Sequence, residues 1–556
     1  MRATPHGAQG GTVQPRRKRA SPAGPRRRGA ARLFGSPVLV PLLLAALTVA
    51  LRARNLSGHP FPNDDEGTYL SQAWAVTTGV GMSHYTYWYD HPPLGWLQLG
   101  ALAWLPQHLL PEQTALVHGR LAMLPVAAVT ALLLHLVARR TGLGRVAAAA
   151  ATLLNAVSPL AIGMQRQVYL DSFAVMWFLA GLSLALSPRR RLWAHCAAGV
   201  AFAVAVLSKE TVAVLLPALL LALWQGSDRR TRCFSLAAFA AGSAVLAGYP
   251  LYSVLKGELL PGGCHSSLLR ALVWQVASRG GSGSVFDSGT VANSLVVQWL
   301  RADPVLLAGG AAAGFAALAV RRLRPVGLAV VLLMLVVLRP GGYLPKMYAL
   351  QTLPFFALAL AATVERVLRG GWCRRVPRLR WALRAAAPAV AALALVPLAP
   401  GWWAQFRETQ QADLNAGYRA ASHWLHTSAV GDRQRVRLVT DGVLWLDAVR
   451  AGYTPGAGVI WHYKLDKDPA VVASMPRGWR DIDYVLATPT MQEAQSELPT
   501  LKVLLRQGKP VEDIHYGQIR VLRVPEKTRG AGPGTPPVTA SLLPCIGEVD
   551  DIWPYA

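Results

Sequence analysis

Three adjacent carboxylates, Asp64-Asp65-Glu66, lie between Asn63 and Gly67-Thr68-Tyr69. Charges of one sign this close repel, so one of them is expected to keep its proton to higher pH unless a cation or substrate compensates. A carboxylate tuned in this way suits a general base, with a neighbour free to bind metal. A solvated acidic loop has the same composition. The same stretch continues as His84-Tyr85-Thr86-Tyr87-Trp88-Tyr89-Asp90-His91-Pro92-Pro93. Its aromatics fit an interfacial belt, a platform for sugar rings or a groove for an isoprenoid chain. The Pro-Pro pair ends any helix and presents Asp90 and His91 at a fixed bend. A metal site from His84, His91 and the acids is left open, since the spacing is not diagnostic. A further set shares a depth instead of a segment: Arg166 and Asp171, Lys209 and Glu210, and Lys346. All five fall near the outer ends of predicted membrane helices, where ionisable groups are costly and mark function. Any one alone could snorkel to the interface. Together, cations facing an acidic loop suit a site that binds an anionic phosphate and deprotonates a group beside it.

The elements that must position these residues are membrane helices. The chain has 556 residues, 53% apolar and 15% charged, with mean hydropathy +0.30. A soluble domain carries about a quarter charged residues. The net charge of +27 is unevenly spread. Residues 1–33 hold 9 basic and no acidic residues, 403–556 hold 17 of each, and 34–402 hold the other 30 basic and 12 acidic ones. Excess charge placed in a tail and between apolar stretches speaks for membrane topology, not nucleic acid. The five cysteines show neither a close pair nor a zinc spacing, so no disulfide framework is expected.

A helix needs about 20 apolar residues to cross the hydrocarbon core. Eleven stretches qualify, at about 34–52, 114–138, 146–164, 170–187, 192–208, 211–226, 233–252, 304–320, 325–339, 344–364 and 382–402. Arginines cluster in alternate connections: Arg139 to Arg145, Arg189 to Arg191, Arg229 to Arg232, Arg321 to Arg324 and Arg366 to Arg384. The positive-inside rule then puts the N-terminus in the cytoplasm and the long connections 53–113 and 253–303 outside. The expected fold is a polytopic α-helical membrane protein of about 11 transmembrane helices with a small extracytoplasmic α/β domain at the C-terminus. That domain spans 403–525, with strands at 435–440, 484–488 and 519–524 and a helix at 444–452. Residues 1–33 read as a disordered basic cytoplasmic tail and 526–556 as a disordered Gly/Pro-rich tail.

Taken in order, Asp65-Glu66-x-x-Tyr69, Tyr89-Asp90-His91-Pro92-Pro93-Leu94, Arg166…Leu170-Asp171, Leu207-Ser208-Lys209-Glu210 and Lys346-x-Tyr348…Leu353-Pro354 form a recognisable series. It resembles the polyprenyl-phosphate-dependent membrane glycosyltransferases of the C-type superfamily. The nearest branches are the protein O-mannosyltransferases and the lipid A aminoarabinose transferases, and the likeness covers about residues 34–402. The resemblance implies a donor sugar carried on polyprenyl phosphate and an extracytoplasmic protein, lipid or polysaccharide acceptor. Asp65 matches the base that activates the acceptor hydroxyl for a single inverting displacement. Asp171 matches a second carboxylate that positions acceptor or base. Asp64, Glu66, Tyr69, Tyr89, Asp90 and His91 fall where acceptor or donor is positioned. Lys209, Lys346 and, more weakly, Arg166 match cations for the leaving phosphate. His91 departs from the aminoarabinose branch, which has Lys there, and the extra Asp64 leaves two candidates for the base. Some members of the superfamily use a divalent metal, and the sequence leaves that open. The resemblance implies a multi-pass protein of the plasma membrane. Arg outnumbers Lys 47 to 9, as in GC-rich bacterial, for example actinobacterial, genomes. A polytopic lipid flippase or transporter is the alternative, disfavoured because the ionisable residues gather at one face instead of mid-membrane.

Overall fold

The computed structural model describes residues 38–80, 89–262, 267–339, 341–369, 399–428 and 430–525. Both tails, most of the expected span at 382–402, and His84 lie outside the described residues. From Pro41 onward the described residues form one compact unit.

The first ten expected spans each coincide with helix. By length and apolarity, three described helices can cross a bilayer: Ala115–Arg140, Arg232–Leu255 and Lys346–Arg369. A fourth arises if Arg145–Val157 and Pro159–Gln165, bent by 63°, count as one span. The bend has a local cause. Ser158 ends one helix and its hydroxyl accepts from Ala161 N to start the next, with Pro159 at the first helical position. Leu39–Ala53, Leu170–Ala185, Leu192–Ser208, Glu210–Gly226, Val305–Ala317 and Arg324–Leu338 are apolar but shorter. Small residues let these helices touch. A Cβ on Gly199 would lie 2.1 Å from Phe239 O, and one on Gly242 would lie 2.0 Å from Cys196 O. The chain is an integral membrane protein.

The connection 53–113 is not loop throughout, since it contains the helices Asp64–Thr77 and Leu94–Leu109. Asp64–Thr77 begins at a capping box: the Asn63 side chain accepts from Asp65 N, and Glu66 accepts from Asn63 N. The three carboxylates therefore occupy its first turn, where the helix dipole favours negative charge. The connection 253–303 likewise holds the helices Leu268–Val273 and Val291–Ala302.

Near the C-terminus five strands form one sheet in the order β2-β1-β3-β5-β4. They are β1 (Leu438–Thr440), β2 (Val459–Trp461), β3 (Tyr484–Ala487), β4 (Lys509–Tyr516) and β5 (Ile519–Arg523). β1 runs parallel to both β2 and β3, while β5 is antiparallel to β3 and β4. Parallel strands are covered on both faces, and β1 and β2 are buried throughout. The helix Gly442–Arg450 follows β1 directly, and its Trp445 indole donates to Val459 O at 2.9 Å. The sequence pattern gave no sign of β2, which has three residues, or of β4, whose Lys509, Pro510 and Glu512 belong to an edge strand.

Candidate active site

The three carboxylates of one helical turn meet three different surroundings. Glu66 is fully buried and salt-bridged to Arg120, whose Nη2 and Nε donate to its two oxygens at 2.8 and 3.0 Å. Gln167 Nε2 and Val168 N add two more donors, each at 3.0 Å. Arg120 pulls the Glu66 carboxyl below its usual range against the opposing effect of burial. Asp64 turns instead to the C-terminal domain, where its Oδ1 accepts from Gly442 N at 3.1 Å. Burial, with Asp65 adding repulsion, pushes its carboxyl up to about 6. Asp65 faces neither support and lines a cavity of about 380 Å³. Burial raises its carboxyl and Asp90 adds to this, while Lys209, His91 and Arg279 oppose it. The sequence expectation that one of the three would be raised is met by two, since of the three only Glu66 is salt-bridged to a cation.

The same cavity is lined by Tyr69, Asp90, His91, Lys209 and Glu210. Lys209 Nζ lies 2.6 Å from His91 Nε2 and donates to the Tyr69 hydroxyl at 3.2 Å. The other imidazole nitrogen, Nδ1, lies 3.1 Å from both Glu210 oxygens. With Nε2 accepting from Lys209, a neutral His91 carries its hydrogen on Nδ1 and donates to Glu210. His91 thus orients the ammonium next to Asp65. The Leu192–Ser208 helix ends immediately before Lys209, so the break between two apolar helices delivers this lysine to the cavity.

Three lining residues carry no sequence signal. Arg279 stacks over Tyr343, its guanidinium carbon 3.6 Å from the ring centroid, and donates to Gln275 at 2.9 Å. It opens the Gly-rich run 280–289, which has no motif and sits far from the other charges in sequence. Arg339 and Tyr463 also line the cavity. Tyr463 comes from the C-terminal domain.

Besides Glu66, four of the sequence-selected residues stand outside this cavity lining. Tyr89 donates its hydroxyl to Glu258 and packs at a tilt against Tyr249, their ring centroids 5.8 Å apart. Asp171 is buried outside the cavity lining. Gln351 Nε2 donates to its Oδ1 and to the Thr211 hydroxyl, both at 2.7 Å, and Thr211 does line the cavity. Arg166 is fully buried and donates to the carbonyls of Arg52 and Arg54 at the end of the first helix. Lys346 lines a second, more apolar cavity of about 570 Å³ with Leu51, Leu160, Trp402, Trp403 and Phe406. Among the described residues no group of three or more His, Cys, Asp and Glu is placed to hold a metal ion.

The family of dolichyl-phosphate-mannose-protein mannosyltransferases matches residues 90–251, which span Asp90, His91, Asp171, Lys209 and Glu210. The crystal structure of ArnT from Cupriavidus metallidurans in the apo state superposes with a TM-score of 0.58. It covers 91% of this chain and 100% of its own at 15% identity. The fold is shared. ArnT bound to undecaprenyl phosphate gives 0.57 at 16% identity, with the same coverage. The oligosaccharyltransferase of Archaeoglobus fulgidus gives 0.51 at 11% identity, covering 84% of this chain and 70% of its own. No curated protein matches the chain in sequence. The resemblance to the polyprenyl-phosphate-dependent, C-type membrane glycosyltransferases is therefore borne out by both the matched segment and the fold.

Proposed function

We propose that this protein moves a monosaccharide from a polyprenyl-phosphate carrier to an extracytoplasmic acceptor hydroxyl, by a single displacement with inversion and with Asp65 as general base. The observation that carries this reading is one cavity in which Asp65 faces Lys209, His91 and Arg279. A carboxyl raised by burial and the cations Lys209 and Arg279 answer the two requirements of such a transfer, a base and a counter-charge for the leaving phosphate. Asp65 takes the proton of the acceptor hydroxyl as its oxygen attacks the anomeric carbon. The bond from that carbon to the phosphate oxygen breaks, and polyprenyl phosphate leaves with the bonding electrons. Lys209, held by Tyr69 and His91, and Arg279 neutralise the charge that grows on the leaving phosphate. Asp171 acts at one remove, through Gln351 and Thr211, and Glu66 fixes the helix that carries the base.

ArnT has been solved bound to undecaprenyl phosphate, and the Archaeoglobus fulgidus enzyme with an inhibitory peptide and a dolichol-phosphate. Lipid phosphates of this kind suit a cavity set among membrane helices. In the same reading the chain crosses the plasma membrane eleven times, with its N-terminus in the cytoplasm. Residues 34–402 form the transferase, and 403–525 form an outer domain.

The test uses purified protein in liposomes, radiolabelled polyprenyl-phosphate sugars beginning with mannose, and a cell-envelope extract as acceptor. Wild type should transfer label, and Asp65→Asn, which keeps the shape and removes the base, should lose about 10²–10⁴-fold. Equal transfer by both would exclude Asp65 as the base. Retention at the anomeric centre of the product would exclude single displacement.

A further inference from the structure

Parallel strands of α/β sheets bind ligands just beyond their carboxyl ends, where loops and helix starts gather. Here β1, β2 and β3 are followed at once by Asp441, His462-Tyr463 and Thr488. The first two of these ends turn towards the acidic helix. Asp441 accepts from Leu444 N at 3.1 Å to cap the helix Gly442–Arg450, and it accepts the Tyr418 hydroxyl at 2.9 Å. The next residue, Gly442, donates to Asp64. The approach is close, since a Cβ on Gly67 would lie 2.2 Å from Gly442 C and O. Two residues beyond β2, Tyr463 is 5% exposed and lines the cavity with Asp64, Asp65 and Asp90. Its phenol is kept protonated well above its usual range by burial and by Asp64, Asp468 and Asp90.

We propose that Tyr463 is an acceptor-binding residue, and that the carboxyl edge of the C-terminal sheet is the wall of the catalytic cavity against which the acceptor lies. This rests on the transferase reading given above. Lys209, Val336, Met347 and Tyr348 bring the membrane helices to the other walls, and a donor dissolved in the bilayer reaches the site from that side. Among the described lining residues, Tyr463 alone comes from beyond residue 411. It borders Asp64, the direct neighbour of the base, so it stands where the attacking hydroxyl must be presented. A tyrosine there offers an aromatic face to the apolar side of a sugar ring or side chain, and a hydroxyl for one hydrogen bond.

The experiment separates acceptor from donor. Slow hydrolysis of the labelled mannosyl polyprenyl phosphate uses water as acceptor, whereas transfer uses the wild-type acceptor fraction of the envelope extract. Tyr463→Ala should raise the KM for that fraction by about tenfold or more. Donor KM and the rate of hydrolysis should stay within about twofold of wild type. Tyr463→Phe should show a smaller rise, and Tyr463→Leu, which preserves bulk, should behave as Tyr463→Ala does and decides the matter if the alanine variant fails to fold. An unchanged acceptor KM in an active variant overturns the proposal, as does a raised donor KM or a matching loss of hydrolysis. Absence of transfer in wild type counts against the transferase reading itself, and the proposal falls with it.

Discussion

On its membrane side the helix Asp64–Thr77 is held through Glu66, whose charge is matched by Arg120 and whose oxygens receive five donors. On its other side it is held through Asp64, which meets Gly442 N but also the carboxylate of Asp441. The first contact is neutralised and fully enclosed. The second brings like charges together in a half-buried seam. One face of the helix is a fixed anchor, and the other is a joint whose strength depends on protonation. Asp65, between them, inherits its position from both.

The anchor should show the largest effect. Arg120→Met leaves Glu66 buried without its counter-ion, which costs about 3–5 kcal/mol. The expected outcome is a much lower melting temperature and no transfer at any pH. Adding Glu66→Leu should recover part of the stability, because an apolar pair no longer strands a charge. Additive losses in the double variant would show that Arg120 and Glu66 do not act as a pair.

The joint should respond more weakly. Gly67→Ala improves helix propensity by about 1 kcal/mol, yet its Cβ would fall 2.2 Å from the Gly442 backbone. Overpacking of this kind costs about 1–3 kcal/mol, so the net change is expected to be destabilising. It should show first as faster proteolysis within 403–525, while cleavage in the membrane helices is unchanged. A stabilised Gly67→Ala protein would mean that the two helices do not approach this closely.

The anchor and the joint were unequally legible in the sequence. Asp65, His91 and Lys209 stood out because a charge against an apolar background is conspicuous wherever it folds. That background also marked the helices, since hydrophobic runs are local. The partners were another matter. Glu66 and Arg120 are 54 residues apart, and Asp64 and Gly442 are 378 apart. Nothing in local periodicity encodes such pairs. Arg279 went unnoticed because a glycine-rich neighbourhood offers no period to place it. Lys346 and Arg166 show the converse. Both have the right residue type at the right depth, but Lys346 faces a second cavity and Arg166 binds backbone carbonyls. Depth along a helix can be read from sequence, whereas azimuth around a bundle of short, broken helices cannot.

The smallest effect sharpens the comparison most. Asp64 is raised to about 6 from an ordinary value of 3.8, and burial raises Asp441 too. The groups facing this seam are Asp65, Tyr418 and Tyr463, which stay uncharged or negative, and His462, whose imidazole is lowered to about 4 by burial. A carboxyl with a raised folded-state pKa contributes its full stability below its unfolded value and loses it as pH rises through the folded one. These two carboxyls therefore favour pH 4.5 over pH 7, whereas His59 and His462, each lowered to about 4 by burial, favour pH 7. Glu66 carries the opposite sign, because its lowered pKa makes its contribution fade only below about 4.5. Between pH 4.5 and 7 the joint is thus read without the anchor. Asp64→Asn keeps an oxygen for Gly442 N and removes one of the two charges. It should gain about 1 kcal/mol over wild type at pH 7 and little at pH 4.5. If the difference in melting temperature between Asp64→Asn and wild type is the same at both pH values, the titrating group lies elsewhere, and the second face of the helix is as fixed as the first.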